Sequence, residues 1–404
     1  MKKKLLAENS IKKNYLNNSL SKKFSKKYKK ILKDLHKDLS NPKKTLSVLN
    51  GSYNFNFKLK DLYKFKKYKS VILIGMGGSI LGSEAIHDFL KHKIRKKFYF
   101  FDNIDQQMVL DLKKNENLKK TLFIVISKSG DTIETLTNLY SLRILKKNSK
   151  NIIIISEKNS FLHNLSKELK LFFVEHNKFI GGRFSVLSEV GMIPAYLMGI
   201  NFKRLRMNLG AHTLKKKETF LKESCIKMAN IFSQKKYRNL IFLNYSPKLE
   251  KFLFWCQQLL AESLGKKGKG LLPIISNAPK DHHSLLQLYL DGPKDKLICI
   301  FNYEEKYNEK NKIRRLKKKG IKYLNNKTLN SIKLAQKEAL KEALNNNNIP
   351  FREFNIKIAE EETLSELFSY FILETIIIGK LLGLNPFNQP AVEQVKNLTK
   401  KLLN

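Results

Sequence analysis

Cysteine is scarce in this chain: Cys225, Cys256 and Cys299 are the only three among 404 residues. An odd number without metal-ligand spacing, each in an apolar context, excludes a disulfide framework and predicts small buried thiols that stay reduced. Long apolar runs are missing as well. The longest, residues 368–384, is interrupted by Glu374 and Lys380, so no membrane span is expected. Residues 1–7 carry a basic cluster, but Glu8, Asn9 and Ser10 cut off any hydrophobic region of signal-peptide length, and the expected location is the cytoplasm. Acidic residues number 35 against 78 basic ones, for a net charge of +43. Charge of that size can attract nucleic acid, yet the lysines are spread along the chain. Runs such as residues 313–319 are not interleaved with aromatics and come with no helix-turn-helix, zinc or RNA-binding signature, so no nucleic-acid partner is expected.

What is present is an alternation of short apolar runs and helical patterns. Residues 1–48 read as a basic helical lead-in. Strands are then expected at 71–74, 97–101, 122–126, 152–155 and 171–174, with helices at 80–90, around 110–114, at 132–145 and from Ser160. Continuous apolar strands joined by helices imply a parallel sheet covered on both faces. A second set follows the lysines at 215–217, with strands at 240–243, 271–275, 297–301 and 352–356. Two terminal helices, broken at Asn385-Pro386, complete the chain. The expected fold is therefore two tandem doubly wound α/β domains, at 49–205 and 206–361, with a lead-in at 1–48 and C-terminal helices at 362–404.

Scarce arginine makes one arginine conspicuous. Only nine of the 78 basic residues are Arg, and Arg183 follows Gly181 and Gly182 where an apolar strand ends. A planar guanidinium there suits an oxyanion, while an ordinary turn arginine would pair with a carboxylate. Gly75-Met76-Gly77-Gly78-Ser79 opens a helix after the first strand and suits either a small anion or close helix–strand packing; Ile80 stands where a dinucleotide fingerprint needs glycine. Ser127-Lys128-Ser129-Gly130-Asp131-Thr132 clusters hydroxyls and an ammonium before a helix, as a phosphate monoester cradle would; Ser129 or Asp131 could equally be a simple N-cap, and Glu134 reads as an ordinary first-turn carboxylate. Glu262 sits near a helix C-terminus, where the dipole raises carboxylate basicity and suits a general base; pairing with Lys266 is the plainer alternative. His282-His283 offers an imidazole for acid–base work, with no third ligand at metal spacing. Gln389 and Lys396, seven apart, fall on one helical face.

Together these segments, above all GGRFSVLS, ESLGK and QPAVEQVK, resemble the phosphoglucose isomerase family, built from two sugar isomerase domains, over residues 70–400. The resemblance implies interconversion of glucose 6-phosphate and fructose 6-phosphate through ring opening and an enediolate, with no cofactor and no metal. It implies that Glu262 moves the proton between C1 and C2 and that Arg183 stabilises the enediolate. It also implies that His283 and Lys396 open the ring, that Ser127, Lys128, Ser129 and Thr132 bind phosphate, and that Gly78, Ser79 and Gln389 line the site. A homodimer with His283 entering the partner's site is implied too. Departures from the family pattern are His282, Leu264, Asn388 and Ala391, none of which removes a proton-handling or phosphate-binding group. An isomerase of broader specificity and a non-catalytic sugar-phosphate sensor are the alternatives.

Overall fold

The computed structural model describes residues 5–210, 212, 215–304, 312–313 and 319–403, with only the backbone of 215–217 and 319. The basic cluster before Leu5 and most of the run at 313–319 lie outside the described residues. Among the described residues, ten strands form two five-stranded sheets. The first contains β2 (Ser70–Gly75), β3 (Lys97–Phe101), β4 (Thr121–Ile126), β5 (Ile152–Ser156) and β6 (Phe172–Glu175), all parallel, in the order β3-β2-β4-β5-β6. Their apolar runs are buried on both faces: Val71, Leu73, Leu122 and Ile124 pack into one core cluster, Ile72, Ile74, Phe123 and Val125 into the other. The period of two sorts neighbours to opposite layers.

The second sheet holds β7 (Asn239–Asn244), β8 (Leu272–Asn277), β9 (Lys296–Tyr303) and β10 (Phe351–Ile356), parallel in the order β8-β7-β9-β10. This repeats the arrangement of the first four strands of the first sheet. The fifth place is taken by β1 (Leu5–Glu8), which pairs antiparallel with β10, Leu5 opposite Ile356. The lead-in is therefore not wholly helical: its first described residues form an edge strand of the distant sheet, and the helix Asn18–Ser40 follows. One further expectation is shortened. The helix expected over 132–145 spans Ile133–Ser141, because Arg143 adopts a positive φ of 54° that ends it.

The long helix Glu361–Leu381 packs against the helices Asn18–Ser40, Lys215–Ser233 and Glu250–Leu264 and is buried along nearly its whole length. Its one fully buried acid, Glu374, receives two hydrogen bonds from Arg352 of β10, at 2.5 and 3.0 Å, and one each from Ser224 and Tyr370, both 2.8 Å. Both oxygens of that carboxylate accept hydrogen bonds, three on Oε1 and one on Oε2, and one donor is a guanidinium, which is the condition for burying a charge. The helix Leu81–Phe89, which follows β2, packs on the helix Glu250–Leu264, which follows β7, and Lys251 reaches Glu84 at 2.8 Å across that junction.

Candidate active site

In the first sheet the chain runs from β2 outward to β3 and then returns to β4 on the other side. The carboxyl ends of β2 and β4 therefore flank a topological switch point, where α/β sheets place ligands. Gly75 is in register with Ile126, so the Gly77–Ser79 loop and the Ser127–Thr132 loop emerge side by side. Glycine is required in the first loop. Gly77 has φ +52°, and a Cβ on Gly78 would run into the Gly182 carbonyl and the Arg183 amide. Ser185 donates to the Gly182 carbonyl at 2.7 Å and to the Gly78 carbonyl at 3.3 Å, joining the two turns. Close backbone packing is thus what Gly78 provides.

Arg183 lies beneath this junction, 2% exposed. Its Nε donates to Ser263 Oγ at 2.8 Å, one terminal nitrogen to Glu262 Oε2 at 3.0 Å and to Gln389 Oε1, and the other to the carbonyls of Pro386 at 2.6 Å and Asn388 at 3.2 Å. All five N–H donors of a guanidinium are engaged. Burial pulls its pKa below the usual arginine range, and the Glu262 carboxylate opposes that pull. The second oxygen of Glu262 accepts from Gln258 Nε2 at 2.9 Å, one helical turn back. Glu262 is half-buried, so its carboxylate is fixed in direction yet reachable.

The turn that carries Gln389 is held by a second cation. Lys266 donates to the Asn385 carbonyl at 2.6 Å and to Asn388 Oδ1 at 3.1 Å. Burial, with Arg183 nearby, lowers its pKa to about 8 despite Glu262. In the sequence Lys266 read only as a potential partner of Glu262; its tie to a turn about 120 residues later has no sequence signal, and neither has the role of Gln258 in orienting the carboxylate.

In the second loop Ser127 Oγ is 2.8 Å from Thr132 Oγ1 and accepts from the Gly130 amide at 3.1 Å. Gly130 has φ +76°, and a Cβ there would press on Ser160. Thr132 stands at the N-cap of the helix Ile133–Ser141, and Ser129 is exposed. Lys128 donates to the Lys178 carbonyl at 3.0 Å and lies 3.5 Å from Glu157. Ser79 is 9% exposed at the mouth of the neighbouring loop.

One chain thus gathers Arg183, Glu262 and Gln389 at one point, with Gly78, Ser79 and the Ser127–Thr132 loop beside them. Two of the expected residues stand apart. His283 follows β8, is exposed, and its side chain forms no hydrogen bond or ion pair among the described residues; its neighbour His282 instead meets Tyr245 at 2.8 Å. Lys396 is exposed on the helix Val392–Leu403 and pairs with Glu393 at 2.8 Å. A carboxylate cluster able to face a metal, Glu360-Glu361-Glu362, lies elsewhere and is bound by Lys93 and Arg204.

Comparison with known proteins gives a consistent result. A family model described as phosphoglucose isomerase matches residues 57–273. A probable glucose-6-phosphate isomerase of Methanococcus maripaludis is 33% identical over 89% of this chain and 83% of its own length. The glucose-6-phosphate isomerase of Methanocaldococcus jannaschii is 32% identical over 88% and 90%. Among solved structures, a hypothetical protein of Thermus thermophilus superposes with a TM-score of 0.83 at 25% identity, over 99% of both chains. A glucose-6-phosphate isomerase from Chlamydia trachomatis shares the fold, with a TM-score of 0.72 at 21% identity over 85% of this chain and 71% of its own.

Proposed function

The chain belongs to the phosphoglucose isomerase family, and from that premise we propose that the Arg183–Glu262 pair is the reaction centre at which glucose 6-phosphate and fructose 6-phosphate interconvert. The observation that carries this reading is the Glu262 carboxylate, with one oxygen on Arg183 at 3.0 Å and the other on Gln258 at 2.9 Å, beside two interlocked glycine turns. A carboxylate so aimed takes the proton alpha to the substrate carbonyl and returns it to the neighbouring carbon. The enediolate oxygen formed between these steps needs a donor. Because all five N–H groups of Arg183 are engaged, an incoming oxyanion replaces one acceptor, and Gln389, exposed and carried on a turn, is the one most easily displaced.

The sugar phosphate is held by Ser129, Thr132 and the backbone amides opening the helix Ile133–Ser141, where helix dipole and free N–H groups favour an anion. Ser127 shapes this loop from below, Lys128 adds positive potential, and Ser79 lines the adjoining wall. Ring opening falls to His283 and Lys396. The His283 side chain makes no hydrogen bond or ion pair with the Arg183–Glu262 pair of its own chain, which supports a homodimer in which His283 enters the site of the partner subunit. The helix Val392–Leu403 already meets the phosphate loop, with Lys400 3.4 Å from Asp131, and Lys396 lies one turn earlier on the same face. No described helix is long and apolar enough to cross a membrane, and we place the enzyme in the cytoplasm. No step requires a metal or cofactor.

The test is a coupled assay that follows glucose 6-phosphate produced from fructose 6-phosphate, run on wild type and on Glu262→Gln. Removing the base should lower kcat by about 10²–10⁴-fold while a non-isomerisable phosphate ligand still binds. A variant retaining more than a small fraction of the activity would exclude Glu262 as the base.

A further inference from the structure

At the opposite end of the first sheet, where β2, β3 and β4 begin, is a cleft of about 1130 Å³. Eight of its thirteen lining residues are Lys or Arg, against 78 of 404 in the whole chain. Chain-wide lysine enrichment does not account for that density. Acids are nearly absent: the one lining carboxylate, Glu116, is held by the hydroxyls of Ser70 and Tyr99, both at 2.7 Å, and lies 3.5 Å from Lys97. Lys66, Lys67, Lys69, Arg95, Lys96 and Lys119 have no ion pair among the described residues. Lys96 is half-buried and donates to the Lys66 carbonyl at 2.9 Å, and burial together with Lys66 holds its pKa below the usual lysine range. A second, smaller recess shares Lys67 and continues past Lys150 and Lys170 to the start of β6. The basic track therefore follows the amino edge of all five strands, about 19 Å at the usual strand spacing.

Unpaired like charges in a concave surface repel one another and concentrate anions. A single phosphate would neutralise only part of such a track. The rings beside it are buried or already carry a lysine: Phe65 and Tyr68 are buried, Lys64 lies 4.6 Å from the centroid of the Phe172 ring, and Lys66 lies 4.3 Å from that of Tyr196 and 5.8 Å from that of the exposed Tyr63. We propose that the amino edge of the first sheet is a binding site for a linear chain of phosphate groups, separate from the isomerase site. Inorganic polyphosphate and the triphosphate of a nucleotide share that chemistry.

The experiment uses the full chain and titrates tripolyphosphate and ATP calorimetrically near physiological ionic strength. It compares wild type with Lys66→Gln/Lys67→Gln/Lys119→Gln and with a control of equal charge loss on an exposed helix, Lys22→Gln/Lys26→Gln/Lys29→Gln. The cleft variant should bind tripolyphosphate at least about tenfold more weakly than wild type, the control should match wild type, and all three should isomerise fructose 6-phosphate equally. Binding of both ligands identifies nucleotides as an accepted source; binding of tripolyphosphate alone restricts the site to the bare chain. Equal losses in both variants would reduce the effect to diffuse surface charge and overturn the proposal. So would no binding by wild type, or cleft-dependent binding of a short DNA duplex in preference to tripolyphosphate.

Discussion

Glu262 Oε2 and a terminal nitrogen of Arg183 meet at 3.0 Å, joining the helix behind one sheet to the turn that ends the other. The contact is asymmetric, for Arg183 is buried and Glu262 is half-open. A charge pair of this kind holds the Glu262 carboxylate in one direction without closing it off, and this arrangement depends on the glycine turns that let the two units approach so closely.

That dependence is testable at Gly78 and Gly182. A Cβ at Gly78 would overlap backbone of Gly182 and Arg183, which cannot swing aside as a side chain can, whereas a Cβ at Gly182 meets nothing within 4 Å. Gly78→Ala should destabilise by about 1–3 kcal/mol in chemical denaturation and depress turnover by displacing Arg183. Gly182→Ala should leave stability nearly unchanged. Equal stability of the two variants would contradict the interlocked turns.

The buried Arg352–Glu374 pair should behave differently from a surface bridge. Arg352→Met removes the partner of a carboxylate with no exposure, at a cost of about 3–5 kcal/mol. In Arg352→Met/Glu374→Leu no charge is left uncompensated, and much of that stability should return. Urea denaturation of wild type, Arg352→Met, Glu374→Leu and the double variant gives the coupling; a double variant as unstable as Arg352→Met would show that the loss does not come from an uncompensated Glu374.

Lys266 supplies a pH signature. Its pKa falls from the ordinary 10.5 to about 8 in the folded chain, so between those values the unfolded state holds more protons and stability rises with pH. Below about 8 both states are protonated and the burial penalty is fully present; above 10.5 neither is. Wild type should therefore gain stability relative to Lys266→Met as pH rises from about 8 towards 10. A difference between the two that stays flat across that window would refute the depressed value.

The sequence made the parallel sheets legible because strands such as Val71–Ile74 are apolar without alternation, a pattern that only double-sided burial explains. Glu262 and Arg183 were legible because a carboxylate near a helix end and a lone arginine behind glycines are chemically unusual. The edge strand Leu5–Glu8 was not, since four residues carry no periodicity and their partner lies some 350 residues away. Glu374 read only as an interruption of an apolar run; its partner Arg352 is on a distant strand, and nothing local announces a buried ion pair. Lys266 and Gln258 were missed for the same reason: their contacts are set by how a helix and a turn pack together.

The assembly prediction follows from where His283 lies. Its side chain is exposed after β8 and makes no hydrogen bond or ion pair with Arg183 or Glu262 of its own chain, which leaves it to serve a second subunit if it opens the sugar ring. Neither Glu262→Gln nor His283→Ala should then be active as a homodimer. Coexpressed, the two chains form mixed dimers in which one site carries both lesions and the other carries none, so activity should return at one site in each dimer. Were histidine to serve its own chain, each site of the mixed dimer would carry one lesion and stay silent. Doubly tagged mixed dimers, purified over both tags and checked for folding by circular dichroism, decide the matter: folded dimers as inactive as their parents would rule out the shared site.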